Sequence, residues 1–157
     1  MAAQLAKKLK LTLCHLDKIA HLAGTNWIPR DKNSLEKEHQ DFLSSTEQWI
    51  IEGNYSYLMK SRFSQATTII WLDFKTSTSL LSYLGRTLTS SKSRAGNLEG
   101  AKNTPTYKQV KHILFTSSKN KVTYKKLIEE SETTWIVIKN FKELNRYYNY
   151  WNLEPQK

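Results

Sequence analysis

"QWIIEGN", residues 48–54, runs three apolar residues, Trp49, Ile50 and Ile51, straight into an acid, Glu52, and then into two turn formers, Gly53 and Asn54. A short apolar run closed by turn residues predicts a buried strand. Two further stretches have the same shape: "TTIIWLDF" at 67–74, which reaches Asp73, and "TTWIVIK" at 133–139. A fourth strand is predicted in "LKLTLCHLD" at 9–17, where Leu9, Leu11 and Leu13 alternate with polar neighbours before the run closes at Asp17.

Helical patterns fill the intervals. Ala2, Leu5, Ala6 and Leu9 stand at helical spacing with Lys7, Lys8 and Lys10 turned away. The segment 18–31, with Gly24 and Pro29, reads as loop or broken helix, and a helix is predicted from Ser34 through Phe42. Ser34 with Lys37 three residues on is only part of a capping box. "YSYLMKSRFSQA" at 55–66, "TSTSLLSYLGRTL" at 76–88, "YKQVKHILF" at 107–115, "VTYKKLIEES" at 122–131 and "NFKELNRYYNYW" at 140–151 also read as helix, the last capped by Asn140. The polar run 89–106, with two Gly and a Pro, is the one long loop. Continuous apolar strands separated by helices indicate a parallel sheet covered on both faces, so the class is α/β. A chain of 157 residues fits a single domain spanning 1–157.

With 39% hydrophobic residues and five Trp the chain is too apolar for disorder. Cys14 is the sole cysteine, which excludes an internal disulfide and favours a reducing compartment. Its neighbour His15 points to the opposite face of a strand, so Cys14 is expected to be a small buried hydrophobe rather than a nucleophile. No apolar run reaches the ~20 residues of a membrane span. The basic N-terminal stretch lacks the cleavage site of a transit peptide, and the expected location is the cytoplasm. The four histidines do not fall at metal-ligand spacing with Cys14.

The net charge of +10 is concentrated in one place. Between Phe74 and Ile128 the only acid is Glu99, against eleven Lys and Arg, so this stretch carries the whole excess. Phosphate-bearing partners suit it, either a nucleotide or, more weakly, a nucleic acid backbone. Trp49, Trp71 and Trp135 lie in predicted strands and are expected in the core, whereas "NRYYNYW" at 145–151 is the candidate for an exposed aromatic patch.

Ligands of open α/β sheets sit beyond the carboxyl ends of the strands. Those ends carry Asp17, Glu52 with Gly53 and Asn54, and Asp73, carboxylates able to hold Mg²⁺ or orient a hydroxyl. For Asp73 taken alone, helix capping is the expectation. "HLD" at 15–17, "NWIP" at 26–29, "WIIEGNYS" at 49–56, "SRFSQATTIIWLDF" at 61–74 and "LGRTL" at 84–88 together resemble a family of small P-loop kinase-like proteins. Its bacterial members are labelled DNA topology modulation protein, and it is similar to adenylate kinase.

The resemblance implies a three-layer α/β/α nucleotide-kinase-like domain with ATP and Mg²⁺ as cofactors. It places Glu52, with Gly53 and Asn54, at the metal and cofactor side, where the family usually has Asp followed by Gly. It places Asp17 toward the acceptor, and Arg86 and Arg94 on the transferred phosphoryl group, with 89–106 as the lid. Lid arginines neutralise charge on a migrating phosphoryl group.

Such proteins also carry a strand and a G-x-x-x-x-G-K-[ST] loop ahead of the first helix. None of the five glycines in this chain precedes Lys followed by Ser or Thr. The loop's backbone N–H groups and lysine bind the β and γ phosphates, so residues 1–157 alone are expected to be inactive in phosphoryl transfer. Two origins follow: a start codon assigned to an internal Met, with roughly 15–20 further residues upstream, or a truncated remnant. The alternative function is a non-catalytic basic protein that binds nucleic acid or another polyanion.

Overall fold

A computed structural model describes residues 1–88, 107–111, 113 and 117–154. These fall into two compact units, one comprising 1–58 and 148–154, the other 59–88 together with the described part of 107–147.

The first unit begins with α1 (Ala2–Leu9), which buries Leu5 and Ala6 and turns Lys7 and Lys8 to solvent. Lys10, in the left-handed conformation at φ 57°, ends it, and the N–H groups of Lys10 and Leu11 both return to the Ala6 carbonyl. β1 (Thr12–His15) follows at once and gives way to the single turn α2 (Leu16–Ile19). α3 (Lys32–Ser45) leads to β2 (Trp49–Glu52), which pairs in parallel with β1, Cys14 opposite Ile51 and His15 opposite Glu52. Cys14, Leu16, Ala20, Leu35 and Leu58 form the buried core, with Ile19, Phe42, Ile51 and Tyr55 against it. Lys8 Nζ donates to the Trp151 carbonyl and so ties α1 to the C-terminal segment.

The second unit contains β3 (Thr68–Leu72), α5 (Thr76–Leu88), α6 (Tyr107–Lys111), α7 (Ser117–Glu129) and β4 (Thr134–Ile138). Two helices have residues in both units: α4 (Ser56–Phe63) and α8 (Phe141–Tyr150). β3 pairs in parallel with β4, Leu72 opposite Ile138. Met59, Phe63, Ile69, Tyr124 and Ile128 form its core, with Trp71 packed on it. The Asn140 Oδ1 accepts from the Glu143 N–H, so the expected Asn140 cap is present, and the Glu143 carboxylate accepts in return from Asn140 Nδ2 and from the Lys139 N–H.

The chain is α/β with parallel strand pairs, as the patterning predicts, but the described strands form two separate ladders, β1–β2 and β3–β4, rather than one continuous sheet. The first strand does not run to Asp17. Period-2 alternation across Leu9 to Leu13 joins the end of a helix to the start of a strand, the periodicity changing at Lys10, and Leu16 already begins α2. The α3 cap is Asp31, whose carboxylate accepts from the Ser34 N–H and hydroxyl, rather than Ser34 itself. Cys14 is buried, as expected. Trp135 is exposed instead of buried, and in the C-terminal aromatic stretch Tyr150 is 82% exposed while Tyr147 and Tyr148 are half-buried. No helix among the described residues is long and apolar enough to cross a membrane.

Candidate functional site

Parallel pairing brings the last residues of β1 and β2, His15 and Glu52, side by side. The His15 Nδ1 pairs with Glu52 Oε1. An ionised carboxylate can only accept, so Nδ1 carries the proton and donates. The His15 side chain is 12% exposed and that of Glu52 46%, so the carboxylate is held at the surface by a ring rooted in the interior.

Immediately beyond, Gly53 adopts φ 131°, a conformation that excludes a side chain on steric grounds. A Cβ at this position would stand 2.7 Å from the Leu16 Cβ. The glycine therefore lets the chain leave β2 directly over the fully buried Leu16. Asn54 is exposed, and Tyr55 folds back so that its hydroxyl donates to Asp17 Oδ1 at 2.8 Å. Burial, reinforced by the charge of Asp17 and this hydrogen bond, raises the Tyr55 phenol far above its ordinary pKa. Asp17 lies on α2, and its backbone carbonyl bonds His21 Nδ1, whose ring meets Trp27 edge-on at 5.2 Å. A second aromatic contact, Tyr55 to Tyr57 at 6.3 Å, and Lys32 4.7 Å above the Tyr57 ring, complete this rim.

Of the residues singled out in the sequence, Glu52, Gly53, Asn54 and Asp17 thus belong to one unit, around the carboxyl end of the β1–β2 pair. Asp17 arrives there from a helix and not from a strand terminus. Mg²⁺ takes one or two carboxylates and fills its octahedron with water and phosphate oxygens. Glu52 fits such a site with the oxygen that His15 leaves unclaimed. Among the described residues no group of three His, Cys, Asp or Glu forms a closed metal cage. His15 and Tyr55 escaped the sequence reading as site residues, because the parallel register that opposes His15 to Glu52 leaves no local signature.

Asp73, in the other unit, follows β3 and was expected to cap a helix. It is instead ion-paired with Lys121 of α7 at 2.5 Å, and the same ammonium donates to the Phe74 carbonyl at 2.7 Å. Arg86 falls in α5, where its side chain lies outside the described part of the structure. Arg94 and the whole 89–106 segment lie outside the described residues.

Comparison with protein-family models, with curated proteins and with solved structures returns no match for this chain.

Proposed function

We propose that the chain is a P-loop nucleotide-kinase-like protein, without phosphoryl transfer by residues 1–157 alone, whose β1–β2 strand ends receive a phosphorylated small molecule, a nucleotide by first choice, together with Mg²⁺. The observation that carries this reading is the paired geometry of Glu52 with His15 and Asp17 with Tyr55 at the carboxyl end of one parallel pair, where ligands of parallel sheets bind. The finer architecture belongs to the proposal: a three-layer α/β/α domain of the family resembled. The parallel direction within each pair supports it.

In this reading Glu52 holds the metal or its waters through its free oxygen, and His15 fixes the carboxylate rotamer. Asp17, oriented by Tyr55, accepts a hydrogen bond from the acceptor. Bound Mg²⁺ would neutralise charge on phosphate oxygens. Residues 1–157 contain no G-x-x-x-x-G-K-[ST] loop, the motif that cradles β and γ phosphates.

The test is thermal unfolding of the full chain with a panel of nucleoside monophosphates, each with and without Mg²⁺. Expected is a rise in Tm for at least one nucleotide that requires Mg²⁺ and disappears in Glu52→Gln and Asp17→Asn, with no phosphate transferred from ATP. A panel that leaves Tm unmoved, or a rise that survives in both variants, overturns the reading.

A further inference from the structure

The second unit has a cavity of about 620 Å³ beyond the carboxyl ends of β3 and β4. It is lined by Asp73, Lys75, Thr78, Lys121, Asn140 and Glu143, together with Lys139. Three cations and two carboxylates meet there, and how the acids are engaged decides the sign of the site.

Both acids are already matched. Asp73 is paired with Lys121. Glu143 accepts from the Lys139 N–H at 2.8 Å and from Asn140 Nδ2 at 2.9 Å, so both its oxygens are engaged at the start of α8. Lys75 and Lys139, each placed shortly after a strand, make no ion pair with any described carboxylate. Both are exposed and free to swing. Lys121 is held in place by its ion pair with Asp73 and by the hydrogen bond it donates to the Phe74 carbonyl. Thr78, in the first turn of α5, adds a hydroxyl.

We infer that this cavity is a binding site for a doubly charged oxyanion, the phosphate of a small phosphorylated molecule, held between Lys75 and Lys139 with Lys121 and the Thr78 hydroxyl as further donors. Its volume lies within the ~300–1,000 Å³ of small-molecule clefts and leaves room for the group that bears the phosphate. Lysine suits this use, since it meets phosphate as a point charge without the bidentate geometry of arginine. The inference does not depend on the kinase-like reading, which assigns these residues no role.

The test is titration of the full chain with inorganic phosphate at constant ionic strength, followed by amide chemical shifts. Expected is saturable one-to-one binding centred on residues 73–78 and 139–143. Lys75→Gln and Lys139→Gln should each weaken it at least fivefold, and Lys75→Arg should restore most of it. Lys126→Gln removes the same charge from an exposed site on α7 and should change the affinity less than twofold. The circular dichroism spectrum and Tm of each variant show that it is folded. Equal weakening by Lys126→Gln would mean a diffuse basic surface of the kind that attracts nucleic acid, and would overturn the inference. So would non-saturable shifts, or full affinity in the Lys75→Gln, Lys139→Gln double variant.

Discussion

Where β2 ends the chain places Glu52, Gly53 and Asn54; where β4 ends it places Lys139 and Asn140. Both positions terminate a strand of a parallel pair, and both are followed by a helix within a few residues. Their electrostatics are opposite because their acids have different partners. Glu52 and Asp17 are hydrogen-bonded by His15 and Tyr55, which orient them, and the Met1 ammonium is a cation that senses the charge of Glu52. Asp73 is held by an ammonium and Glu143 by neutral donors at a helix start, and with Lys75 and Lys139 the lining has three cations against two carboxylates. On the two proposals made above, one arrangement is assigned a Mg²⁺-bearing ligand in one unit and an anion in the other. Topology fixes where a site can form, and the partner of each acid fixes what it accepts.

The comparison breaks most visibly at Gly53. Gly53→Ala places a methyl group 2.7 Å from the Leu16 Cβ at φ 131°. Strain and overpacking together should cost about 2–4 kcal/mol. Gly24 is the internal reference: its φ is also positive, at 74°, but nothing lies within 4 Å of the added Cβ. Gly24→Ala should cost about 1 kcal/mol. Urea midpoints at constant slope measure both, and equal losses would mean that the close approach to Leu16 is absent.

A smaller effect separates the two kinds of carboxylate partner. Lys121→Met leaves Asp73, 25% exposed, without its cation, and should cost about 1–2 kcal/mol. Glu52→Gln keeps an acceptor for the His15 N–H at a surface position 46% exposed, and should cost less than about 1 kcal/mol. If chemical denaturation ranks them the other way, the acid of the first unit is the structurally engaged one. Near-neutrality of Glu52→Gln also means that any loss of nucleotide binding in that variant is local.

Features governed by local chemistry were legible in the sequence. The helix 76–88 is present over those residues, and Asn140 caps α8 as its side-chain chemistry requires. What failed was decided at boundaries or across distance. Asp31 outcompetes Ser34 for the cap of α3, since it accepts from both the N–H and the hydroxyl of that serine. The alternation through Leu9 carries no mark of the left-handed turn at Lys10, a conformation usually left to glycine or asparagine. Nor can a single sequence pair residues 37 positions apart, as in His15 and Glu52, or reveal that Asp73 meets Lys121. The acids were visible, but their partners, which decide the charge of each end, were not.

The finest test concerns Tyr55, whose hydrogen bond to Asp17 distinguishes the first unit's rim. Its phenol is held above the ordinary value mainly by burial and then by the charge of Asp17. Below pH ~10 the phenol is protonated in both the folded and the unfolded chain, so the contribution of the bond is fully present. Above pH ~10 the unfolded phenol ionises while the folded one keeps its proton, so stability falls as pH rises. Tyr57 is raised in the same direction, again chiefly by burial and then by the charge of Glu36, but is more exposed. Urea midpoints from pH ~8 to ~11 for the native chain, Tyr55→Phe and Tyr57→Phe resolve the contributions. Tyr55→Phe should lose about 1 kcal/mol at pH ~8 and show a shallower alkaline decline than the native chain, and Tyr57→Phe should change both less. An alkaline decline as steep in Tyr55→Phe as in the native chain would mean that Asp17 is oriented by solvent, and the first unit would then lack the fixed acid that sets it apart from the second.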